Sequence, residues 1–298
     1  MKLLVTGAWQ CTREQLNTLA ELGNLVVFMQ NEKGELPCKA EEVEGVICNG
    51  LFLYHSIEKF VSLKYIQLTS AGFDRVPMDY VQAHGIKIYN ARGVYSIPMA
   101  EFAICGVLQL YKQSNFFREN QKLRSWEKHR GLMELYGKTV GIVGCGNVGT
   151  ECAKRFKAFD CKVLGVDLFP CEDKNYQKIY PLGALNEVLG LADVVVLTLP
   201  LTEETRGLMN AERFVLMKTG SVLVNIARGA VVDKQALLKA LNERLLGAVL
   251  DVFDEEPLSK DNELWVKKNV IITPHNSFVG DGNTGRLFKL IQENLGKG

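Results

Sequence analysis

The stretch Thr139-Val-Gly-Ile-Val-Gly144-Cys-Gly146-Asn-Val-Gly149 decides how the rest of the chain is read. Val140, Ile142 and Val143 form a short β-branched run suited to a buried parallel strand, and beyond the glycines the pattern turns helical, from Asn147 to Phe159. The spacing predicts strand, tight turn, helix. In that arrangement Gly144 permits the turn, Gly146 lets a pyrophosphate approach the backbone, and Gly149 lets helix and strand pack closely. The helix N-terminus offers unpaired N–H groups to the phosphates. A second strand, Lys162-Val-Leu-Gly-Val166, ends at Asp167, where a ribose-binding carboxylate belongs in a dinucleotide-binding unit. The plain alternative is a Gly-rich turn that binds nothing. The strand, helix and acidic residue around the glycines weigh against it.

The 298 residues are long enough for two cores, and the alternating patterns on either side of the turn point to two α/β domains. Thirty-five basic against thirty-four acidic residues leave a net charge of +1, and no block of like charge suggests a nucleic-acid arm or a membrane patch. A small molecule is the expected partner. Eight cysteines include no C-x-x-C pair and mostly fall within apolar patterns, so they read as reduced thiols and point to the cytoplasm. Met1 to Val5 reads as a first strand rather than a leader, and no apolar run reaches the roughly 18 residues of a membrane span. The four histidines are scattered without metal-ligand spacing, so no metal is expected.

Before the glycine turn, strand-like segments at Leu3–Val5, Leu25–Phe28, Gly45–Cys48, Tyr65–Leu68 and Ile86–Ile88 alternate with helical ones at Arg13–Leu22 and Ser56–Val61. Thr12 with Gln15 spells a capping box. Gly7 follows the first strand but lacks the second and third glycines of a cofactor turn, so it reads as a turn residue only. Pro98 suits the first turn of a single long helix reaching about Phe117, and Glu101 suits the dipole near its start. Residues 118–136, with Trp126 among charges, read as a surface arm or short helix. After the turn come strands at 192–199, 221–224, 247–250 and 270–272, helices at 211–217 and 234–242, and a last helix from Asn283 to Leu295.

Ligands of an open parallel sheet lie outside the carboxyl ends of its strands. After Val222–Val224 comes Asn225-Ile-Ala-Arg228-Gly229, after Ala248–Leu250 come Asp251 and then Glu256, and after Ile271–Ile272 comes Thr273-Pro-His275. An arginine, a carboxylate and a histidine at successive strand ends suit hydride transfer to a 2-oxo acid. The arginine can grip a carboxylate bidentately and polarise the keto oxygen, the histidine can donate a proton, and the glutamate can keep the imidazolium charged and oriented. Taken singly, Arg228 could pair with a structural carboxylate, Glu256 could be a solvated loop charge and His275 an ordinary loop histidine. Their joint order behind a dinucleotide fingerprint favours the chemical reading.

These residues complete a set of motifs, Thr69-Ser-Ala-Gly-Phe-Asp74, Pro98-Met-Ala-Glu101, Gly144 to Gly149, Leu199-Pro-Leu-Thr202 with Thr205, Val224-Asn-Ile-Ala-Arg-Gly229, Leu250-Asp-Val-Phe253 with Glu256-Pro-Leu258, and Thr273-Pro-His275. In that order they resemble the D-isomer-specific 2-hydroxyacid dehydrogenase family over almost the whole chain. The resemblance implies two doubly wound parallel-sheet domains. The larger, residues 92–277, would be a Rossmann NAD-binding domain inserted into a smaller flavodoxin-like substrate domain made of 1–91 and a returning helix in 278–298. It implies Arg228, Glu256 and His275 as the catalytic set, with Arg228 on the substrate, Glu256 supporting and His275 donating the proton. It places the substrate carboxylate on the backbone of Ser70, Ala71 and Gly72. Around NAD it gathers Gly144, Gly146, Asn147, Val148, Gly149, Asp167, Leu199, Pro200, Ile226, Ala227, Arg228, Asp251 and His275. Family members are commonly dimers through this domain, which suits Trp126 and the helix after Pro98. Glu256, where the similar formate dehydrogenases have glutamine, argues against that branch.

Asp167 favours NAD over NADP, because a 2′-phosphate would meet a like charge, by about 4 kcal/mol at 4 Å and an effective dielectric of 20. Lys174 is near enough in sequence to keep NADP as an alternative. No cationic cluster lies in Asn49–Phe52 for a phosphorylated substrate, while Phe52, Phe73 and Tyr95 suggest an apolar or aromatic side chain. The rival reading from another class is a catalytically weak, NAD(H)-sensing interaction protein on the same fold.

Overall fold

The structure is a computed structural model and describes residues 1–296. Contacts divide it into two compact units, residues 1–95 with those from 280 onward and residues 96–279. The breaks fall a few residues beyond the joints expected near 92 and 278.

In the first unit, β1 (Lys2–Thr6), α1 (Arg13–Glu21), β2 (Leu25–Met29), β3 (Gly45–Cys48), β4 (Tyr65–Leu68), α2 (Met78–Ala83) and β5 (Lys87–Tyr89) build a parallel sheet of order β2-β1-β3-β4-β5. This is the flavodoxin-like order. Apolar residues fill both faces of the central strands, as an all-parallel sheet requires. Thr12 Oγ1 accepts from the Gln15 N–H and Gln15 Oε1 from the Thr12 N–H, completing the expected capping box.

The second unit runs through α3 (Ser96–Tyr111), α4 (Ser114–Leu123), β6 (Thr139–Val143), α5 (Asn147–Ala158), β7 (Lys162–Asp167), β8 (Lys178–Pro181), α6 (Leu185–Leu191), β9 (Val194–Leu197), α7 (Ala211–Leu216), β10 (Val222–Asn225), α8 (Lys234–Glu243), β11 (Gly247–Leu250) and β12 (Val270–Ile272). Its sheet is parallel throughout, in the order β12-β11-β10-β9-β6-β7-β8. Counted from β6, this is the doubly wound order that reverses between β6 and β9. Gly106 lets α3 lie against the sheet, since a Cβ there would come within 2.6 Å of Val249 Cγ1. The final helix, α9 (Asn283–Leu295), belongs to the first unit, where Leu287 and Ile291 join Leu3, Val5 and Ile47 in one core. Trp9 stacks on Phe288 with centroids 5.7 Å apart, and buried Asn294 donates to Gln67 at 2.9 Å.

Several elements differ from the sequence reading. The long helix predicted through Phe117 is two helices, because Gln113 turns left-handed at φ 50° and starts α4 afresh. The arm predicted from 118 therefore begins inside α4 and becomes irregular over 125–135. The helix expected at 56–61 is a single 3-10 turn, Ile57–Lys59. Glu101 does more than face a dipole, since it pairs with Arg155 at 3.2 Å. No helix among the described residues is long and apolar enough to cross a membrane.

Candidate active site

The glycine turn lies at the switch point of the larger sheet. Gly144 holds φ 98°, and a Cβ on it would fall 2.7 Å from the Leu199 nitrogen, so only glycine lets the ends of β6 and β9 meet so closely. Thr198 pins the junction, its hydroxyl donating to the Gly144 carbonyl at 2.6 Å. A Cβ on Gly149 would sit 2.1 Å from the Gly144 carbonyl oxygen, which fixes α5 against the turn. Gly146, by contrast, faces open space and is exposed. It N-caps α5 without any side-chain hydrogen bond, leaving the first-turn N–H groups of Asn147, Val148 and Gly149 without a side-chain acceptor.

Asp167 ends β7 beside this turn. Its Oδ2 accepts from the Cys145 N–H at 2.6 Å and its Oδ1 from the Phe169 N–H at 3.0 Å, so the carboxylate is locked in place with lone pairs left for a ribose diol. Burial pushes the Cys145 thiol up to about 12, so the turn sets no thiolate against a pyrophosphate. An open glycine, an uncapped helix start and a fixed carboxylate together fit a dinucleotide.

At the same sheet edge, Leu199 is 7% and Ile226 2% exposed, with side chains in the two cores, so each offers backbone alone to a ligand. Pro200 is exposed and Ala227 buried. Buried Asn225 shapes the next turn by donating to the Arg228 carbonyl at 3.1 Å and accepting from the Ala227 N–H at 3.1 Å. Arg228 itself is exposed, with Nη1 donating to the Ala227 carbonyl at 2.7 Å. A Cβ on Gly229 would fall 1.9 Å from the Phe253 carbonyl carbon, so this turn abuts the segment that carries Glu256.

Glu256 and His275 meet directly, Oε2 to Nδ1 at 2.8 Å, with both side chains about two-fifths exposed. Glu256 Oε1 accepts from the Phe253 N–H at 2.9 Å, which orients the carboxylate from behind. With Nδ1 so engaged, Nε2 is the ring nitrogen left to face a substrate. His275 sits at φ 51°, a costly conformation for a side chain that is not glycine.

Asp251 explains how that conformation is held. It is fully buried and accepts from Thr273 Oγ1 at 2.6 Å, the Asn276 N–H at 2.7 Å and the Ser277 N–H at 3.0 Å. Its carbonyl accepts the His275 N–H at 2.8 Å. Asp251 is thus the anchor of the histidine loop. Thr198 and the backbone donors of Cys145 and Phe253 had not been singled out from the sequence, and a threonine closing β9 was the one available signal.

Within the first unit, Ser70, Ala71 and Gly72 follow β4. Ser70 Oγ donates to the Gly72 carbonyl at 3.1 Å and Asn90 to the Ala71 carbonyl at 2.6 Å, so side chains occupy the loop's carbonyls rather than its N–H groups. The Tyr95 hydroxyl donates to the Thr69 carbonyl beside it. Phe52 packs edge-on against Phe60 at 5.8 Å, and Phe73 is exposed. Among the described residues, no three His, Cys, Asp or Glu side chains gather as metal ligands would.

Comparison with known proteins gives this arrangement a context. Residues 104–277 match the family model for the D-isomer specific 2-hydroxyacid dehydrogenase, NAD binding domain. The chain is 34% identical over 276 residues to the glyoxylate reductase of Pyrococcus horikoshii, covering 86% of this chain and 80% of that one. It is 34% identical over 280 residues to the D-3-phosphoglycerate dehydrogenase of Methanocaldococcus jannaschii, covering 92% of this chain and 53% of that one. The chain spans about half the length of the curated phosphoglycerate dehydrogenases it matches. The crystal structure of the Aquifex aeolicus D-lactate dehydrogenase, complexed with NAD and lactic acid, superposes with a TM-score of 0.76 at 27% identity, covering 99% of this chain and 94% of that one.

Proposed function

The chain belongs to the D-isomer-specific 2-hydroxyacid dehydrogenase family, its larger unit being the NAD-binding domain, and from that premise we propose that it interconverts a 2-oxo acid and a D-2-hydroxy acid. The observation that carries this reading is the Glu256–His275 pair, 2.8 Å apart, at the strand ends of the sheet that holds the glycine turn.

In the reducing direction His275 holds a proton on Nε2 while Nδ1 donates to Glu256, and it delivers that proton to the carbonyl oxygen as the alkoxide forms. Arg228 grips the substrate carboxylate and stabilises the growing charge on the oxygen. In the first unit, the backbone N–H groups of Ser70, Ala71 and Gly72 are the substrate-binding groups of this reading. Asp251 acts through the loop, holding His275 at the strained angle that points its ring outward. Reduced nicotinamide, when bound, supplies the hydride. Asn147, Val148 and Gly149 would hold the pyrophosphate, and Asp167 would favour NAD over NADP by repelling a 2′-phosphate. Leu199, Pro200, Ile226 and Ala227 line the cofactor with backbone.

The first unit takes the substrate in this reading. A homodimer through the second unit fits two separate features, a groove of about 560 Å³ lined by Ile104, Cys105, Leu108 and Phe159 and, elsewhere, a Trp126 side chain that is 96% exposed. A cytoplasmic location fits eight free cysteines.

Following NADH absorbance with a panel of 2-oxo acids, repeated with NADPH and with the chirality of the product determined, tests the assignment. Turnover to D-products with NADH is expected. Silence across the panel, with NADH still bound, would favour the sensing protein instead.

A further inference from the structure

At the carboxyl end of the smaller sheet a carboxylate of the chain itself stands where an anion could bind. Glu32 follows β2, and its Oε1 accepts from Thr6 Oγ1 at 2.7 Å and from the Asn49 N–H at 2.7 Å. Its Oε2 accepts from the Gly50 N–H at 2.8 Å. Consecutive N–H groups directed at one point, as those of Asn49 and Gly50 are, make a backbone nest that suits a phosphate or carboxylate. Here the nest is filled from within. His55 Nε2, 3.0 Å from the Glu32 carbonyl, ties the segment down further. At the same strand end Asn49 Oδ1 is buried without a hydrogen-bond partner among the described residues, one more acceptor in place of a donor.

This edge adjoins the loop assigned above to the substrate. The Thr69 N–H donates to the Cys48 carbonyl at 2.9 Å and Cys48 pairs with Leu68, so Asn49–Gly50 and Ser70–Gly72 leave neighbouring strands, about 4.8 Å apart. A side chain begun at Gly50 would meet Glu32 Oε2 at 3.5 Å and Arg75 Cδ at 3.6 Å. Glu32 and the stem of the Arg75 side chain therefore flank one point, and the charges they carry are not equivalent. Glu32 is fixed by three donors, whereas Arg75 is an exposed side chain with several rotatable bonds. A fixed charge acts on every substrate pose, and a flexible one can swing into solvent at little cost.

We propose that Glu32 is a specificity-determining residue whose carboxylate selects against 2-oxo acids bearing a second anion on the side chain and favours uncharged ones. This rests on the 2-oxo acid reading of the site and narrows it.

The test compares 2-oxoglutarate with 2-oxopentanoate, which replaces the distal carboxylate by a methyl group. Values of kcat/KM are measured for the wild type, Glu32→Gln and Glu32→Asp, with folding followed by circular dichroism. The wild type should prefer 2-oxopentanoate. Glu32→Gln should raise the 2-oxoglutarate to 2-oxopentanoate ratio at least about tenfold, and Glu32→Asp, which keeps the charge, should stay near wild type. Raising the salt concentration should raise the wild-type ratio by screening, which needs no variant. A wild-type preference for 2-oxoglutarate, or a ratio moved by neither substitution nor salt, overturns the inference alone. No turnover of any acid in the panel overturns the oxidoreductase reading and this inference with it.

Discussion

The two sheets begin alike and diverge at one point. In each, the first strand runs into a glycine and then a helix, yet the turns serve opposite ends. After β1, a Cβ on Gly7 would lie 2.3 Å from the Gln30 carbonyl oxygen, Trp9 is buried, and the helix that follows is closed by the Thr12 capping box. After β6, Gly146 faces open space and α5 starts with no side-chain cap. The carboxylates at the carboxyl ends of the second strands differ in the same sense: Glu32 fills the backbone donors of its sheet edge, while Asp167 is braced by two N–H groups at the rim of an open turn. A helix start that serves the fold satisfies its own N–H groups, and one that serves a ligand leaves them free.

One added methyl group at each turn should have opposite consequences. Gly149→Ala puts a Cβ 2.1 Å from the Gly144 carbonyl oxygen, and NADH binding should vanish at concentrations that saturate the wild type, by fluorescence titration. Gly7→Ala makes a similar clash, at 2.3 Å, and should lower folding stability in urea while leaving NADH affinity unchanged. Loss of affinity in both would dissolve the distinction.

A smaller effect follows from Asp167→Asn, which keeps an acceptor for the Cys145 N–H but removes the charge. The preference for NADH over NADPH, as a ratio of dissociation constants, should shrink by at least about tenfold, since solvent and salt leave only part of the about 4 kcal/mol repulsion at a partly exposed carboxylate. A preference left intact would mean that another group reads the ribose. Least of all, Thr12→Ala should cost about 1 kcal/mol of folding stability in urea titration and leave turnover untouched, since its capping box serves the fold alone.

Where local chemistry sufficed, the chain was legible. β3, β4, β11 and β12 are apolar runs bounded by turn residues, and the sequence placed each end to end. The capping box and α9 were equally plain. Short or half-exposed elements were not. β8, Lys178–Pro181, is an edge strand with no apolar run, and α2 and α6 hold six and seven residues, too few for a period to show. The break at Gln113 gave no signal, because a left-handed turn there uses neither glycine nor proline. In the site, the order Arg228, Glu256, His275 could be read along the chain. The buried anchoring of the histidine loop by Asp251 could not, since it depends on N–H groups some 25 residues away.

If a glutamate-backed histidine delivers a proton beside the dinucleotide turn, His275→Ala should abolish that step, and kcat for the best 2-oxo acid and the dissociation constant for NADH, measured on the same preparation, reveal whether it does. The expected kcat is lower by at least about a hundredfold, with NADH affinity retained. A kcat within a few fold of wild type would contradict it.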